Sequence, residues 1–394
     1  MHEFLSLGPT PLANSFLKEN QLNSPEAVYP LDVYFCKHCE LVQLVDVVPP
    51  EILFKNYIYV SGTSNTMRSH FTGLAGEVFG KSKLSVDSLV VDIGSNDGTL
   101  LKSFRAFKVK TLGVEPASNL AKLAEDEGIE TVNDFFNEKT ALEIMQNKGK
   151  ANAVMATNVF AHIQNLDEFL RGIDILLDDG GVFVIEIPYL LDLLEKMLFD
   201  TIYHEHLSYF AVSPLVTLFK RFDMEMFDVK RISVHGGSIR VYVRKSPSSS
   251  SESVAKLVQL ERHLHLDSLP TYLSFATEVA RIRAKLVRLL KHIKAKRKRI
   301  AGYGAPAKGN TLLNYCRLGT DTLDYIVDEN PYKQGLYTPG MRIPVFPTKK
   351  IGDDRPDYVL LLAWNYSDEI LQREQKYRER GGKFILPIPD PQIV

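Results

Sequence analysis

The stretch LVVDIGSNDGTL, residues 89–100, decides the fold of this chain. An apolar run rich in β-branched residues ends at Gly94, and a second glycine, Gly98, precedes residues that suit a helix. The pattern predicts a strand, a tight turn and the N-terminus of a helix. Glycine lets a ligand approach the backbone, and the first turn of a helix offers unpaired N–H groups. We therefore predict a cofactor-binding turn here.

The acidic residues of this turn indicate which cofactor it binds. A dinucleotide-binding turn needs a third glycine and usually no acid, whereas this turn carries Asp92 and Asp97. Carboxylates suit a cationic ligand with an amino-acid tail, such as S-adenosylmethionine. A second predicted strand ends at Glu115, where an acid can accept hydrogen bonds from both ribose hydroxyls. The alternative is an ordinary βαβ turn with surface acids.

The same stretch resembles motif I of the S-adenosylmethionine-dependent methyltransferases, and GVEP, residues 113–116, resembles the end of their ribose-binding strand. A further predicted strand ends at Asn158, at the ligand-binding edge of the sheet. The predicted cofactor-binding residues are Asp92, Gly94, Asn96, Asp97, Gly98, Glu115 and Asn158.

Composition excludes several classes of protein. The chain has 394 residues and a formal net charge of -1, which gives no electrostatic footprint for nucleic acid. Its 45% hydrophobic and 24% charged residues, without a long apolar run, indicate a globular protein with no membrane span. It starts without a signal-peptide pattern, and its 3 cysteines cannot form a disulfide framework. We therefore expect a cytoplasmic protein that binds neither nucleic acid nor membrane; the pattern does not indicate an oligomeric state.

The chain divides into three predicted parts of an α/β protein. Residues 1–66 form a small N-terminal lobe. Residues 67–245 form a central Rossmann-like methyltransferase domain, because apolar runs alternate there with helical patterns. Residues 246–394 comprise a serine-rich linker over 246–252, a long helical stretch over 253–299 and a second Rossmann-like domain.

Cys36 and Cys39 have the spacing of a zinc knuckle, because two intervening residues bring two thiolates onto one metal. A structural zinc ion needs four ligands, and Cys316 lies far along the chain. A complete site would need His2, His38 or another chain. We expect a degenerate zinc-binding-like lobe with two half-buried thiols and no bound metal.

A second strand, glycine turn and helix start is predicted at IAGYGAPAKGN, residues 300–310. This turn carries Lys308 and no acid, so it suits an anionic group such as a diphosphate at the start of the helix. We predict that Gly304, Lys308 and Asn310 bind the substrate.

The segment YHEHLSYF, residues 203–210, is the densest cluster of proton-handling side chains in the sequence. It follows predicted strand ends, which favours a catalytic role. The alternative is an aromatic loop whose histidines lie at the surface or are satisfied within the core, and we assign this structural role to His204.

The order of these features resembles the sugar C-methyltransferases, which add a methyl branch to a nucleotide-linked keto-deoxysugar. The resemblance rests on PLAN (residues 11–14), YHEHLSYF and GYGAPAKGN, and it spans nearly the whole chain. In that family four cysteines hold zinc; this chain begins too late to supply the first pair, so zinc is not implied. The resemblance implies a catalytic group of Tyr57, His162, Tyr203, Glu205 and His206, with Tyr59 as the alternative to Tyr57 and as a further substrate-binding residue.

Methylation of a carbon beside a ketone requires a base and a group that holds the enolate oxygen. We predict that His206 is the general base and that Glu205 orients it or the sugar. Tyr203 and His162 are expected to contact the enolate oxygen or neighbouring hydroxyls.

Two other functions remain open at this point. A small-molecule O-methyltransferase would need no enolising base. A non-catalytic nucleotide-sugar-binding protein is also conceivable, but the acid pair Asp92 and Glu115 argues against it.

Overall fold

The structure, a computed structural model, describes residues 1–55, 57–63, 65–245 and 251–394. The predicted α/β fold is confirmed. In chain order the strands are β1 (His2–Ser6), β2 (Asp32–Phe35), β3 (Val42–Leu44), β4 (Leu89–Ile93), β5 (Lys110–Val114), β6 (Thr131–Val132), β7 (Ala151–Thr157), β8 (Leu177–Pro188), β9 (Ser208–Tyr209), β10 (Glu225–Ile232), β11 (Ser238–Arg244), β12 (Ile300–Tyr303), β13 (Ile326–Val327), β14 (Val345–Phe346), β15 (Tyr358–Leu361), β16 (Lys383–Leu386) and β17 (Gln392–Ile393).

The helices connect and cover these strands. They are α1 (Pro50–Phe54), α2 (Asn65–Lys81), α3 (Thr99–Phe104), α4 (Ser118–Asp126), α5 (Glu138–Lys148), α6 (Leu166–Leu176), α7 (Leu190–Glu195), α8 (Val212–Lys220), α9 (Glu252–His263), α10 (Leu269–Ala295), α11 (Ala307–Cys316), α12 (Lys350–Asp354), α13 (Ser367–Arg373) and α14 (Gln375–Glu379). Short 3-10 helices cover Glu19–Gln21, Ser61–Thr63, Arg105–Phe107, Phe160–His162, Phe199–Thr201, Val234–Gly236 and Trp364–Tyr366. Within the described part of the chain, no helix is both long and apolar enough to cross a membrane.

The central sheet has the strand order β10-β11-β8-β7-β4-β5-β6. Strand β4 is parallel to both β5 and β7, whereas β11 is antiparallel to β8 and β10. The chain runs from β4 outward to β6 and then returns to β7 on the other side of β4. Ligands bind where the strand order reverses in this way, outside the carboxyl ends of the strands. The first glycine turn, residues 94–98, therefore lies at this switch point.

The C-terminal sheet has the order β14-β13-β12-β15-β16-β17, with antiparallel pairing only for β17 among the described strands. Here the order reverses between β12 and β15. The second glycine turn, residues 304–308, follows β12, and the segment 362–366 follows β15. Both segments therefore lie at the same edge of this second doubly wound sheet.

The helical stretch expected over 253–299 is two helices instead of one. Helices α9 and α10 are separated by residues 264–268, where His265 has a left-handed φ of 57°. Helix α10 buries Tyr272, Val279 and Leu286, which recur at a spacing that keeps them on one face. The predicted linker over 246–252 lies largely outside the described residues.

The N-terminal sheet has the order β1-β2-β3-β9. Its last strand, β9, belongs by sequence to the predicted central domain, and it pairs with β3 in antiparallel fashion. The Leu44 N–H group donates to the Leu207 carbonyl oxygen at 2.9 Å beside this pairing. The N-terminal lobe is therefore joined by backbone hydrogen bonds to the segment that carries His206.

Candidate active site

A cavity of about 670 Å³ lies where the N-terminal lobe, the central domain and the C-terminal domain meet. Its volume falls within the range of about 300–1,000 Å³ that is typical of small-molecule sites. The predicted site residues that line it are Tyr57, Tyr59, Asp92, Gly94, Asn96, Glu115, Asn158, His162, Tyr203, His206 and Lys308.

The first glycine turn is closely fitted to its surroundings. Gly94 has a φ of 67°, and a Cβ atom at this position would lie 2.3 Å from Cγ2 of Val159. The Glu115 carboxylate accepts hydrogen bonds from the backbone N–H groups of Asn96 and Ala117, both at 2.8 Å. Burial raises the pKa of Glu115, and these two donors oppose that rise. The turn thus holds an acid in the cavity wall through the backbone.

Asp92 contributes a second acid at the end of β4. It is 2% exposed, and its Oδ1 atom has no hydrogen-bond partner among the described residues. Burial, together with the neighbouring Glu115, raises the pKa of Asp92 well above its usual value. A cationic ligand group would satisfy this oxygen and relieve the repulsion between the two acids.

Asp97 and Gly98, two of the predicted cofactor-binding residues, do not line the cavity. Oδ1 of Asp97 accepts a hydrogen bond from the Thr99 hydroxyl at 2.6 Å, and Oδ2 accepts one from the Gly62 N–H group at 3.1 Å. Gly98 has a φ of 73° and packs against Ile129. Both residues shape the turn and hold the neighbouring loop.

His206 lies in the cavity wall beside two other predicted catalytic residues. Its Nδ1 atom bonds the Thr201 carbonyl oxygen at 2.7 Å, which assigns the proton of the neutral ring to Nδ1 and leaves Nε2 as an acceptor. Burial lowers the pKa of His206 to about 4. Its ring centroid lies 4.1 Å from that of Tyr203 and 5.2 Å from that of His162. Burial and His206 also lower the pKa of His162, so both imidazoles are neutral.

The sequence predicts that Glu205 orients either His206 or the sugar. In the structure His206 is oriented by the Thr201 carbonyl oxygen and not by Glu205. The Glu205 side chain is 3% exposed and accepts hydrogen bonds from the Tyr57 hydroxyl and the Asn14 amide, each at 2.6 Å. Burial and the Glu205 charge raise the pKa of Tyr57 well above its usual value. Tyr57 is therefore a neutral phenol whose proton is directed at Glu205. His204 is buried and bonds the backbone carbonyls of the N-terminal lobe, as a structural residue would.

Lys308 is the one residue of the predicted C-terminal set that lines the cavity. Gly304 has a φ of 84° and packs against Ala363. Asn310 is 1% exposed, and its amide donates to the Ala13 carbonyl oxygen at 2.7 Å. Gly304 and Asn310 shape the second glycine turn and its packing, and their predicted role in substrate binding stays a prediction.

Several residues of the cavity region were not predicted from the sequence. Asp200 is fully buried and accepts a hydrogen bond from the Trp364 indole at 2.6 Å. Lys333 lines the cavity and donates to the Ala305 carbonyl oxygen at 2.8 Å. Trp364 follows β15 at the switch point of the C-terminal sheet, and this position could have indicated it. Asp200 and Lys333 are brought in by tertiary packing alone.

The three cysteines differ in exposure and are divided between two parts of the molecule. Cys39 is exposed, Cys36 is half-buried and Cys316 is buried in the C-terminal domain. Among the described residues, no group of three or more histidine, cysteine, aspartate or glutamate side chains could hold a metal ion. Two thiols fall short of the four ligands that structural zinc requires.

Comparison with known proteins identifies the family. The C-methyltransferase NovU from Streptomyces niveus is 39% identical to this chain over 394 residues, which cover 100% of this chain and 94% of NovU. The chain belongs to the C-methyltransferase family. Three family models match it: "Putative zinc binding domain" over residues 1–54, "Methyltransferase domain" over 76–229 and "C-methyltransferase C-terminal domain" over 233–389. The resemblance drawn from the sequence is thereby confirmed.

Solved structures match less than half of this C-methyltransferase. An S-adenosylmethionine-dependent methyltransferase from Clostridium acetobutylicum is 14% identical, covering 46% of this chain and 92% of its own, with a TM-score of 0.36. One from Anabaena variabilis is 16% identical, covering 46% and 85%, with a TM-score of 0.37.

S-adenosylmethionine is the cofactor of this C-methyltransferase, and the first glycine turn fits it on its own geometry. Oδ1 of Asp92 has no hydrogen-bond partner among the described residues, so it suits a cationic group of the ligand. At Gly94 there is no room for a side chain, which leaves the backbone of the turn open to the ligand. Glu115 stands in the wall as a hydrogen-bond acceptor. Family membership favours C-methylation over the O-methyltransferase and non-catalytic alternatives.

Proposed function

We propose that this C-methyltransferase methylates a carbon beside the ketone of a nucleotide-linked keto-deoxysugar through an enolate, with His206 as the general base. The observation that carries the proposal is the state of His206. Its Nδ1 atom is engaged by Thr201, its ring is neutral, and Nε2 remains an acceptor in a residue that lines the cavity. Methylation of a carbon beside a ketone requires such a base to form the enolate, whereas O-methylation needs no enolising base.

The proton step follows from this arrangement. Nε2 of His206 takes the proton from the carbon beside the ketone, and the electron pair of that C–H bond forms the C=C bond of the enolate as the ketone oxygen gains the negative charge. Burial makes the imidazolium unfavourable in the free protein, but the enolate charge beside it stabilises the protonated ring. The Tyr203 ring, whose centroid lies 4.1 Å from that of His206, adds a cation–π contribution once the imidazole is protonated.

The remaining catalytic residues position the sugar. Because the Tyr57 proton is directed at Glu205, the Tyr57 oxygen can accept a hydrogen bond from a sugar hydroxyl. His162 is held by stacking on Phe54, with ring centroids 5.4 Å apart. Tyr203 is assigned to the enolate oxygen. S-adenosylmethionine supplies an already activated methyl group, so alignment is the main contribution of the protein.

The nucleotide diphosphate is assigned to the second glycine turn. Helix α11 begins there with Ala307 and Lys308, and both line the cavity. The N–H groups of a helix start and a lysine together favour an anion. The cavity thus offers acids for a cationic cofactor at one switch point and a cation for an anionic substrate at the other.

The test is His206→Asn, assayed with keto-deoxysugars linked to dTDP. We expect both ligands to remain bound and methylation to fall by roughly 10² to 10⁴, the usual weight of a positioned acid–base group. In the presence of S-adenosylhomocysteine, the wild type should exchange the hydrogen beside the ketone with deuterium from solvent, and the variant should not. His38→Asn, at an exposed position, is the matched control and should behave as wild type.

Exchange at the wild-type rate in a folded His206→Asn variant would move the base elsewhere, with His162 as the first replacement. If His162→Asn also leaves exchange intact, the enolate route itself is wrong.

A further inference from the structure

Asp200 is a buried acid between two domains. It lies in the 3-10 helix Phe199–Thr201 of the central domain, is 0% exposed, and faces helix α11 of the C-terminal domain. Oδ2 accepts the Trp364 indole hydrogen at 2.6 Å, and Oδ1 has no hydrogen-bond partner among the described residues. A buried carboxyl group with one unsatisfied oxygen costs free energy, so its presence calls for a function.

Trp364 joins this acid to Lys308. The indole N–H group points to Asp200, while the Nζ atom of Lys308 lies 4.4 Å from the centroid of the Trp364 ring and bonds the Asn365 side chain. Asp200 and Lys308 form no direct ion pair among the described contacts of the chain. An ammonium has three donors, so an acid that acts through the ring leaves donors free for a ligand in the cavity.

The charge state of Lys308 depends on its burial and on Asp200. Burial lowers the pKa of Lys308 to about 8, and the negative charge of Asp200 opposes this decrease. Burial raises the pKa of Asp200 to about 6, and Lys308 opposes that rise. His235 also lines the cavity, and burial, together with the charge of Lys308, lowers its pKa to about 4. Asp200 is therefore the acid that favours the charged lysine.

We propose that Asp200 is a positioning residue for substrate binding: through Trp364 it holds Lys308 charged in the cavity wall and so determines the affinity for a nucleoside diphosphate. This inference rests on the proposed function, because the diphosphate is that of the sugar nucleotide. The same short helix carries Thr201, whose carbonyl oxygen orients His206. The 3-10 helix Phe199–Thr201 thus positions both Lys308, which binds the diphosphate, and His206, which acts as the base on the sugar.

The test is Asp200→Asn, which keeps an acceptor for the indole and removes the charge. With dTDP as the probe, calorimetry should show affinity about fivefold weaker at pH 8, because a one-unit fall from a pKa of about 8 lowers the charged fraction of Lys308 from about one half to about one tenth. The pH above which dTDP binding weakens should move downward. Binding of S-adenosylhomocysteine should not change. Asp368→Asn, at an exposed site on α13, is the matched control and should leave dTDP binding at the wild-type level.

A second measurement follows Lys308 directly. In the ligand-free enzyme, NMR titration of isotope-labelled lysine, assigned with Lys308→Ala, should give a lower midpoint for Asp200→Asn than for the wild type. Weaker dTDP binding with an unchanged lysine midpoint would mean a merely structural role and would overturn the inference. So would a shifted midpoint with unchanged dTDP affinity.

A failure of the proposed function can be told apart from a failure of this inference. If no keto-deoxysugar nucleotide is methylated but dTDP affinity still depends on Asp200 in this way, the substrate assignment is wrong and the positioning role stands.

Discussion

The Tyr57 hydroxyl donates a hydrogen bond to Glu205 at 2.6 Å across 148 residues of sequence. The bond joins the segment that precedes α2 to the loop that carries His206. Glu205 also accepts from Asn14 of the N-terminal lobe. Three distant parts of the chain therefore meet at one buried carboxylate, and the Tyr57 phenol is fixed by it.

This relationship predicts coupling between the two residues. Tyr57→Phe and Glu205→Gln should each lower kcat/KM by roughly 10- to 100-fold, and the double variant should lose little more than the worse single variant, because residues that share one bond are not additive. Steady-state kinetics on folded proteins measures this. Tyr34→Phe, at a partly exposed site in the N-terminal lobe, is the control. Fully additive losses would show that the bond does not act as a unit.

Glu115 is expected to bind the cofactor through hydrogen bonds to the ribose. Glu115→Ala should weaken the affinity for S-adenosylhomocysteine by about 1–3 kcal/mol, the scale of a hydrogen bond to a charged group. Isothermal titration calorimetry checks this, with Glu125→Gln on the exposed side of α4 as the control. An affinity equal to that of the wild type would remove Glu115 from the cofactor site.

Gly94 leaves no space for a side chain. Its φ of 67° is unfavourable for other residues, and a Cβ atom would meet Val159 at 2.3 Å. We expect Gly94→Ala to lower the free energy of unfolding by roughly 1–3 kcal/mol and to weaken cofactor binding. Gly80→Ala, in α2 with nothing near its Cβ position, should be neutral or stabilising. Equal effects of the two substitutions in denaturant unfolding would refute the fit.

His206 should make the stability depend on pH. Its folded pKa of about 4 lies below the ordinary value of 6.5, so the unfolded chain binds the proton more tightly. The contribution to stability is therefore complete above pH 6.5 and is lost progressively as the pH falls toward about 4. Between pH 7 and 5, wild type should lose roughly 1–2 kcal/mol more than His206→Asn in urea unfolding. His38→Asn should follow the wild type; parallel curves for all three proteins would show that His206 is not buried as a neutral ring.

The parts of the site that the sequence predicted are those built from neighbouring residues. The first glycine turn, with Gly94 and Asn96, is a local pattern of strand, turn and helix, and Glu115 follows from the spacing of the next strand. Family resemblance supplied the histidines and tyrosines. The contacts that orient them are long-range or made by backbone atoms, such as the Thr201 carbonyl at His206, and residue types do not reveal those.

Helix geometry explains why Lys308 and Asn310 have different surroundings. Residues two apart on a helix point to opposite sides, because each residue turns the helix by about 100°. Lys308 and Asn310 both lie in the first turn of α11, so their side chains point to opposite sides of the helix. Lys308 lines the cavity and Asn310 bonds Ala13 inside the protein.

The pairing of β3 with β9 has a consequence for exchanging parts between relatives. The edge of the N-terminal sheet is completed two residues after His206, so its backbone hydrogen bonds cross from the lobe to the catalytic loop. A chimaera that takes its N-terminal lobe from another C-methyltransferase must therefore also match the loop over 201–210. A hybrid joined only near residue 66 would place a foreign strand against the histidine, and its catalytic rate would report the mismatch.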